Sequence, residues 1–177
     1  MVRLLGGVLE RLLEEGTVHF EGISGTSAGS MNAVVLAYGL LCDGAEGGRQ
    51  HLHDFWKAIS DAGQKMGMGQ RMPWEEFLGL DPEYSPTYQF FSNITRFLSP
   101  YQFNAMDVNP LRDVLVDRVD FDRLQQCQHT KLFISATNVR SGKVRVFHTG
   151  EVTADAVLAS ACLPQLFKAV TIDGESY

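Results

Sequence analysis

The chain has 177 residues, of which 45% are hydrophobic and 20% charged, with a formal net charge of −6. This length and composition are typical of one globular domain with a sizeable core, which we place over residues 1–177. The acidic balance and the absence of a long basic run argue against nucleic acid as a partner. Because no apolar stretch reaches the roughly 18 residues of a membrane span and charges interrupt the N-terminus, we expect a cytoplasmic location.

Helical and strand-like patterns alternate in the first third of the chain. Apolar residues recur at helical spacing over 4–15, and a short β-compatible run follows over 17–24. An apolar, proline-free segment predicts a second helix over 28–41. After a turn-rich loop at 43–48, the spacing of the apolar residues predicts an amphipathic helix over about 49–61. This order predicts an α/β fold with a mostly parallel sheet.

Residues 63–106 interrupt the alternation. They are rich in Gly, Pro, Met and aromatic residues, and their periodicity is weak. We interpret them as an irregular segment folded on its own apolar side chains. The alternative is a flap that lines or covers an apolar site of the size of a lipid.

The second half of the chain predicts more short elements. Asn109 reads as the N-cap of a helix whose first residue is proline. A strand follows over 131–137, and alternation over 143–147 predicts a second strand that pairs with it as a hairpin. Thr153 or Asp155 can cap a further short helix.

The pentapeptide Gly25-Thr26-Ser27-Ala28-Gly29 matches the pattern G-x-S-x-G between the first predicted strand and the second predicted helix. That position predicts a tight elbow that exposes the hydroxyl of Ser27, the candidate nucleophile, at the carboxyl edge of the sheet. We expect Gly25 and Gly29 to relieve backbone crowding, and the amide of Ala28 to donate to an oxyanion. A Gly/Ser-rich stretch by itself usually indicates only a turn. The predicted strand before it and the predicted helix after it favour the interpretation of Ser27 as a nucleophile.

A serine hydroxyl is a weak nucleophile and needs a base that takes its proton. His19 is expected to pack within its strand, and His129 lies in a polar loop. His148, which follows the second hairpin strand, is the runner-up base. A carboxylate is the other option, and Asp173 follows an apolar run near the end of the sequence. Its Asp-Gly pair is also the signature of a simple turn, which is the stronger interpretation from the residues alone.

The cysteines and the remaining histidines predict no metal site, and no cofactor is expected. Three widely spaced cysteines match neither a disulfide framework nor a zinc pattern, so we expect buried thiols in a reducing compartment. His51 and His53 are two residues apart on a predicted helix. They therefore lack the i, i+4 spacing that puts two metal ligands on one helical face.

Four blocks of the sequence resemble the patatin-like phospholipase family, particularly its bacterial members. In chain order they are residues 7–16, 25–33, 133–142 and 159–167. They are similar to the family's first helix, its nucleophile elbow, a later strand with its turn, and the segment that leads to its catalytic aspartate. Residues 43–108 contribute little to the resemblance.

The resemblance implies a three-layer α/β/α sandwich and a Ser–Asp dyad that works without histidine. It makes Ser27 the nucleophile that attacks an ester carbonyl of a phospholipid or related lipid and forms an acyl-enzyme, from which water releases the fatty acid. It further implies a lipid substrate, peripheral contact with membranes, and no metal or cofactor. The sequence does not indicate the oligomeric state.

Two motifs of the family have no counterpart in this sequence. The glycine-rich G-G-G-x-R/K-G oxyanion loop precedes the first helix, and counting back from Gly7 places its beginning before Met1. The family's aspartate stands in D-G-G or D-G-A, whereas Asp173-Gly is followed by Glu175. Asp173 therefore resembles an upstream I-D-G-x-x-Y run of bacterial relatives, and we expect the catalytic aspartate beyond Tyr177. The sequence is accordingly interpreted as a partial patatin-like domain.

Two alternatives remain open at this point. The first is a non-catalytic patatin-like module for lipid binding or interaction, which keeps the elbow but lacks the oxyanion loop and the catalytic aspartate. The second is a histidine-dependent serine esterase in which His148 acts as the base.

Overall fold

A computed structural model describes residues 2–65, 109–163 and 167–177 of the chain. The interpretation of residues 63–106 as an irregular segment or flap lies almost entirely outside these ranges. The described elements, in chain order, are α1 (Val2–Glu15), β1 (Gly22–Gly25), α2 (Ala28–Lys65), α3 (Pro110–Arg118), α4 (Phe121–Gln125), β2 (Lys131–Thr137), β3 (Val144–His148), a 3₁₀ turn (Thr149–Glu151), α5 (Ala154–Ser160), β4 (Thr171–Ile172) and β5 (Glu175–Ser176).

Three described strands form one sheet in the order β1-β2-β3, and β4 and β5 form a separate hairpin. β1 is parallel to β2, with Gly25 opposite Ile134, and β2 is antiparallel to β3, with Ile134 opposite Phe147. The predicted α/β class and the predicted hairpin are therefore confirmed. Over the described residues the sheet is mixed rather than mostly parallel, because the short β2–β3 turn reverses the chain without a crossover helix.

The two faces of the sheet have different surroundings among the described residues. Leu132, Ile134 and Phe147 point to one face, where they are at most 1% exposed and share a core with apolar residues of α2 and α5. On the opposite face Val144 and Val146 are 64% and 42% exposed. The described helices thus cover one face, and the second helical layer of the expected three-layer sandwich remains a prediction.

Helix α2 folds back on itself as a helical hairpin. Its backbone leaves the helical region at Asp43 (φ −140°) and at Gly44, whose φ of 62° is one that glycine adopts without strain. The two arms approach closely at Gly39 and Gly47, since a Cβ added to Gly39 would lie 2.5 Å from the carbonyl oxygen of Gly47. The break is therefore shorter than the loop predicted over 43–48.

A hydrogen bond from Trp56 Nε1 to Asn32 Oδ1, 2.7 Å long, joins the two arms of α2. Asn32 is only 2% exposed, so its amide oxygen needs a donor from within the protein. We expect Trp56→Phe to lower the free energy of unfolding by about 1–3 kcal/mol, because the buried oxygen loses its partner. Urea denaturation measures this change. The double variant with Asn32→Ala should be less destabilised than the sum of the two single variants, and strict additivity would contradict a direct bond.

Side-chain caps begin the short helices of the second half. The side chain of Asn109 accepts a hydrogen bond from the amide of Leu111, as predicted for an N-cap followed by proline. At α5 the cap is Thr153, whose hydroxyl accepts from the amide of Ala156, while Asp155 instead pairs with an arginine of α3. Helix α4 is not predicted from the sequence, since its five residues are too few to show periodicity.

Candidate active site

The pentapeptide forms a tight elbow between the end of β1 at Gly25 and the start of α2 at Ala28. Ser27 has a φ of 57°, in the left-handed region that non-glycine residues rarely adopt. The side chains of Thr26 and Ser27 are exposed, whereas Ser30 in the next turn is fully buried. This left-handed backbone at an exposed serine agrees with the tight elbow that the sequence predicts, while the role of Ser27 as a nucleophile stays a prediction.

The two glycines of the elbow differ in what surrounds them. A Cβ added to Gly25 would lie 2.5 Å from the carbonyl oxygen of Gly29 and 2.7 Å from Cα of Ser30, so no larger residue fits. Apart from its chain neighbours and the backbone of its own helix, a Cβ added to Gly29 would meet no atom of the described residues within 4 Å. The prediction that both glycines relieve crowding is therefore correct for Gly25 and wrong for Gly29, because only Gly25 faces the backbone of the following helix.

Hydrogen bonds hold both backbone groups of Ser27. Its carbonyl oxygen accepts from the amide of Ser30 at 2.9 Å and from the Ser30 hydroxyl at 2.5 Å. Its amide donates to the hydroxyl oxygen of Ser160, the last residue of α5, at 2.9 Å. One residue earlier, the hydroxyls of Thr26 and Ser135 lie 2.5 Å apart, which joins the elbow to β2.

The amide of Ala28 is the first N–H group of α2. The next two amides, of Gly29 and Ser30, donate to the carbonyl oxygens of Thr26 and Ser27 at 3.0 and 2.9 Å. Within the described parts of the chain no group accepts a hydrogen bond from the Ala28 amide. An N–H group at the start of a helix carries partial positive charge, which favours a negatively charged oxygen beside it.

His148 lies at the opposite edge of the sheet from the elbow. It stands opposite Phe133, which in turn pairs with Ser24 of β1. Ser27 is three residues farther along the direction of β1, so the two backbone positions differ by about 10 Å along the strands and about 10 Å across them. The ring of His148 packs against Phe133, with 5.3 Å between ring centroids.

Asp173 and Gly174 form the turn of the β4–β5 hairpin. Their φ values of 53° and 78° are those of a two-residue turn in which both central residues have positive φ. The interpretation of the Asp-Gly pair as a turn is thus correct. The Asp173 carboxylate accepts a hydrogen bond from the Arg145 guanidinium at 2.9 Å, so its partner is on β3 and not at the elbow.

Arg145 attaches this hairpin to the sheet. Its guanidinium lies 4.5 Å from the centre of the Phe147 ring and 5.8 Å from that of Tyr177. Hydrogen bonds with Tyr177 and Asp173 raise the pKa of Arg145 above its ordinary value, so the group is a cation at every physiological pH. The sequence does not reveal that Ser135 and Ser160 contact the elbow, or that Arg145 binds Asp173, because the partners of these residues are distant in the chain.

A cavity of about 300 Å³ lies between α3, α5 and residues 167–171. Asp155 and Leu158 line it, and at about 100° per helical residue they lie roughly 160° to 220° around α5 from Ser160. These two residues therefore face the cavity from the side of α5 opposite to Ser160. Ser27 is not among the residues that line it.

Among the described residues no group of three or more His, Cys, Asp or Glu side chains could hold a metal ion. Over the same residues no helix combines the length and the apolarity that a membrane crossing requires.

Comparison with known protein families assigns the chain to one of them. A family model for patatin-like phospholipase matches residues 4–177, which include the elbow, the β2–β3 hairpin and α5. No curated protein matches the chain, and no solved structure does. Because the family model covers nearly the whole sequence, the chain belongs to the patatin-like phospholipase family.

Proposed function

We propose that this chain carries the nucleophile of a serine lipid acyl hydrolase. The family suggests lipid acyl hydrolase activity. The observation that supports Ser27 as the reacting residue is its left-handed backbone at the start of a helix, with an exposed side chain and the Ala28 amide beside it. The substrates are phospholipids or related acyl lipids, and the protein contacts membranes from their surface.

The reaction proceeds in two steps. Ser27 Oγ attacks the carbonyl carbon of an acyl ester while a base takes its proton, and the carbonyl oxygen becomes an oxyanion next to the Ala28 amide. Collapse of this intermediate expels the alcohol of the lipid, which takes up the proton, and leaves the acyl group on Ser27. Water then attacks the acyl-enzyme, releases the fatty acid and restores the serine.

The base in this proposal is an aspartate other than Asp173. Two observations support this choice. Asp173 lies in the turn of the β4–β5 hairpin, and its carboxylate accepts a hydrogen bond from Arg145 of β3, which is not part of the elbow. His148 is an unsuitable base because it lies two strands away from Ser27 and packs on Phe133.

The function is tested with the intact protein. It is incubated with a short-chain chromogenic ester and, separately, with vesicles of a diacyl phosphatidylcholine, and released alcohol and fatty acid are measured. A fluorophosphonate probe should label the protein, and peptide mass spectrometry should map the adduct to Ser27. Binding to vesicles without hydrolysis or labelling would overturn the proposal in favour of a non-catalytic lipid-binding module.

Asp173→Asn should leave the kcat for the chromogenic ester within about 3-fold of the wild-type value, because in this proposal the carboxylate only pairs with Arg145 and takes no proton from Ser27. Arg145→Gln is the matched control, because it breaks the same ion pair and leaves the carboxylate in place. If Asp173→Asn lowered kcat by about 100-fold or more while Arg145→Gln did not, Asp173 would be the base.

A further inference from the structure

Ser27 is held on both sides by hydrogen bonds that fix its backbone. The peptide plane before Ser27 is fixed through its N–H group by Ser160, and the plane after it is fixed through its carbonyl oxygen by Ser30. The relative orientation of these two planes defines φ and ψ of Ser27, and hence the direction in which its Cβ and Oγ point. A left-handed φ of 57° at a serine needs such support, because the residue would relax without it.

Ser160 is well placed to supply this support. It is the last residue of α5, the helix that packs on β2, and its four predecessors, Ala156–Ala159, are buried. The position of its hydroxyl is therefore set by the core and not by a flexible loop. Ser30 belongs to the same local turn as Ser27, so it moves with the elbow. Ser160 is separated from Ser27 by 133 positions in the chain, and it anchors the elbow to an independent element.

We propose that Ser160 is a positioning residue for the reaction of Ser27, an inference that rests on the proposed function. Its hydroxyl oxygen accepts a hydrogen bond from the Ser27 amide and thereby holds the nucleophile in its strained conformation. The same bond decides which amide faces the substrate. Because the Ser27 amide is occupied by Ser160, the Ala28 amide is the N–H group of the elbow that stabilises the oxyanion.

The test compares Ser160→Ala, Ser160→Thr and Ser160→Val in the intact protein. Threonine keeps the hydroxyl, whereas valine has nearly the same shape without it, so this pair separates the hydrogen bond from the bulk of the side chain. We expect alanine and valine to lower kcat for the chromogenic ester by about 10- to 100-fold with KM within about 2-fold, since a displaced nucleophile reacts more slowly. Threonine should restore kcat to within about 3-fold of the wild-type value.

A second measurement does not depend on catalysis. Amide hydrogen exchange, followed by NMR, should show the Ser27 amide protected in the wild-type protein and in Ser160→Thr, and at least about 10-fold faster exchange in Ser160→Ala and Ser160→Val. Ser60→Ala, which removes an exposed hydroxyl on α2, is the control and should change neither exchange at Ser27 nor kcat.

The outcomes separate this inference from the proposed function. Unchanged exchange at Ser27 in Ser160→Ala would overturn the inference whatever the activity. Faster exchange with unchanged kcat, or equal kcat in the threonine and valine variants, would also overturn it. A wild-type protein that hydrolyses no ester and takes up no phosphonate at Ser27 would contradict the proposed function itself, and with it the catalytic part of the inference.

Discussion

Replacing Ser27 with glycine is expected to abolish ester hydrolysis and to make the protein more stable. Loss of the hydroxyl removes the proposed nucleophile, so kcat should fall by at least about 10³-fold. The φ of 57° strains a serine by about 1–2 kcal/mol, and glycine adopts it freely. Part of this gain is offset by the greater freedom of glycine in the unfolded chain. A net increase of about 0.5–1 kcal/mol in the free energy of unfolding is the expected result.

Ser27→Ala is the matched variant, because it removes the same hydroxyl but keeps a Cβ in the left-handed region. Its activity should be as low as that of the glycine variant, while its stability stays close to that of the wild-type protein. Urea denaturation and turnover of the chromogenic ester measure the two properties on the same samples. Undiminished turnover in either variant would exclude Ser27 as the nucleophile. A glycine variant less stable than the alanine variant would contradict the strained backbone.

Gly25→Ala should cause the largest loss of stability among the substitutions at the elbow. The new Cβ would meet the carbonyl oxygen of Gly29 at 2.5 Å and Cα of Ser30 at 2.7 Å, and both are backbone atoms that cannot rotate away. The elbow has to open to accommodate it, which we expect to lower the free energy of unfolding by about 3 kcal/mol or more. The kcat of the residual folded protein should fall as well, because Ser27 moves with the elbow.

Gly29→Ala is the internal comparison for this prediction. It adds the same methyl group four residues later, where the backbone is helical and the methyl group meets no described atom within 4 Å outside its chain neighbours and its own helix's backbone. Because alanine favours a helix by about 1 kcal/mol over glycine, the protein should be unchanged in stability or slightly stabilised. Thermal unfolding of both variants measures this difference in stability. Equal melting temperatures would show that the close contact at Gly25 does not exist.

The elements that the sequence predicts correctly are those with local causes. The 131–137 strand agrees with β2 to the residue, and the Asn109 cap is found where Asn precedes Pro. The β1 strand is shorter than predicted and includes only residues 22–25, since residues 17–21 make no ladder with the described strands. The fold-back of α2 was foreseeable from Gly44, but the approach of Gly39 to Gly47 depends on how the two arms pack.

By itself the sequence indicated the family, predicted an elbow between a strand and a helix, and made Ser27 the candidate nucleophile, because a glycine-flanked serine in that position is recognised from its neighbours in the chain. Only the tertiary structure decided that the Ser160 hydroxyl accepts a hydrogen bond from the Ser27 amide, and that the Arg145 guanidinium donates one to the Asp173 carboxylate. It also decided that His148 lies away from the elbow. Those contacts join residues 133 and 28 positions apart, or depend on strand register. Such geometry follows from packing of the whole core, and no local pattern of residues encodes it.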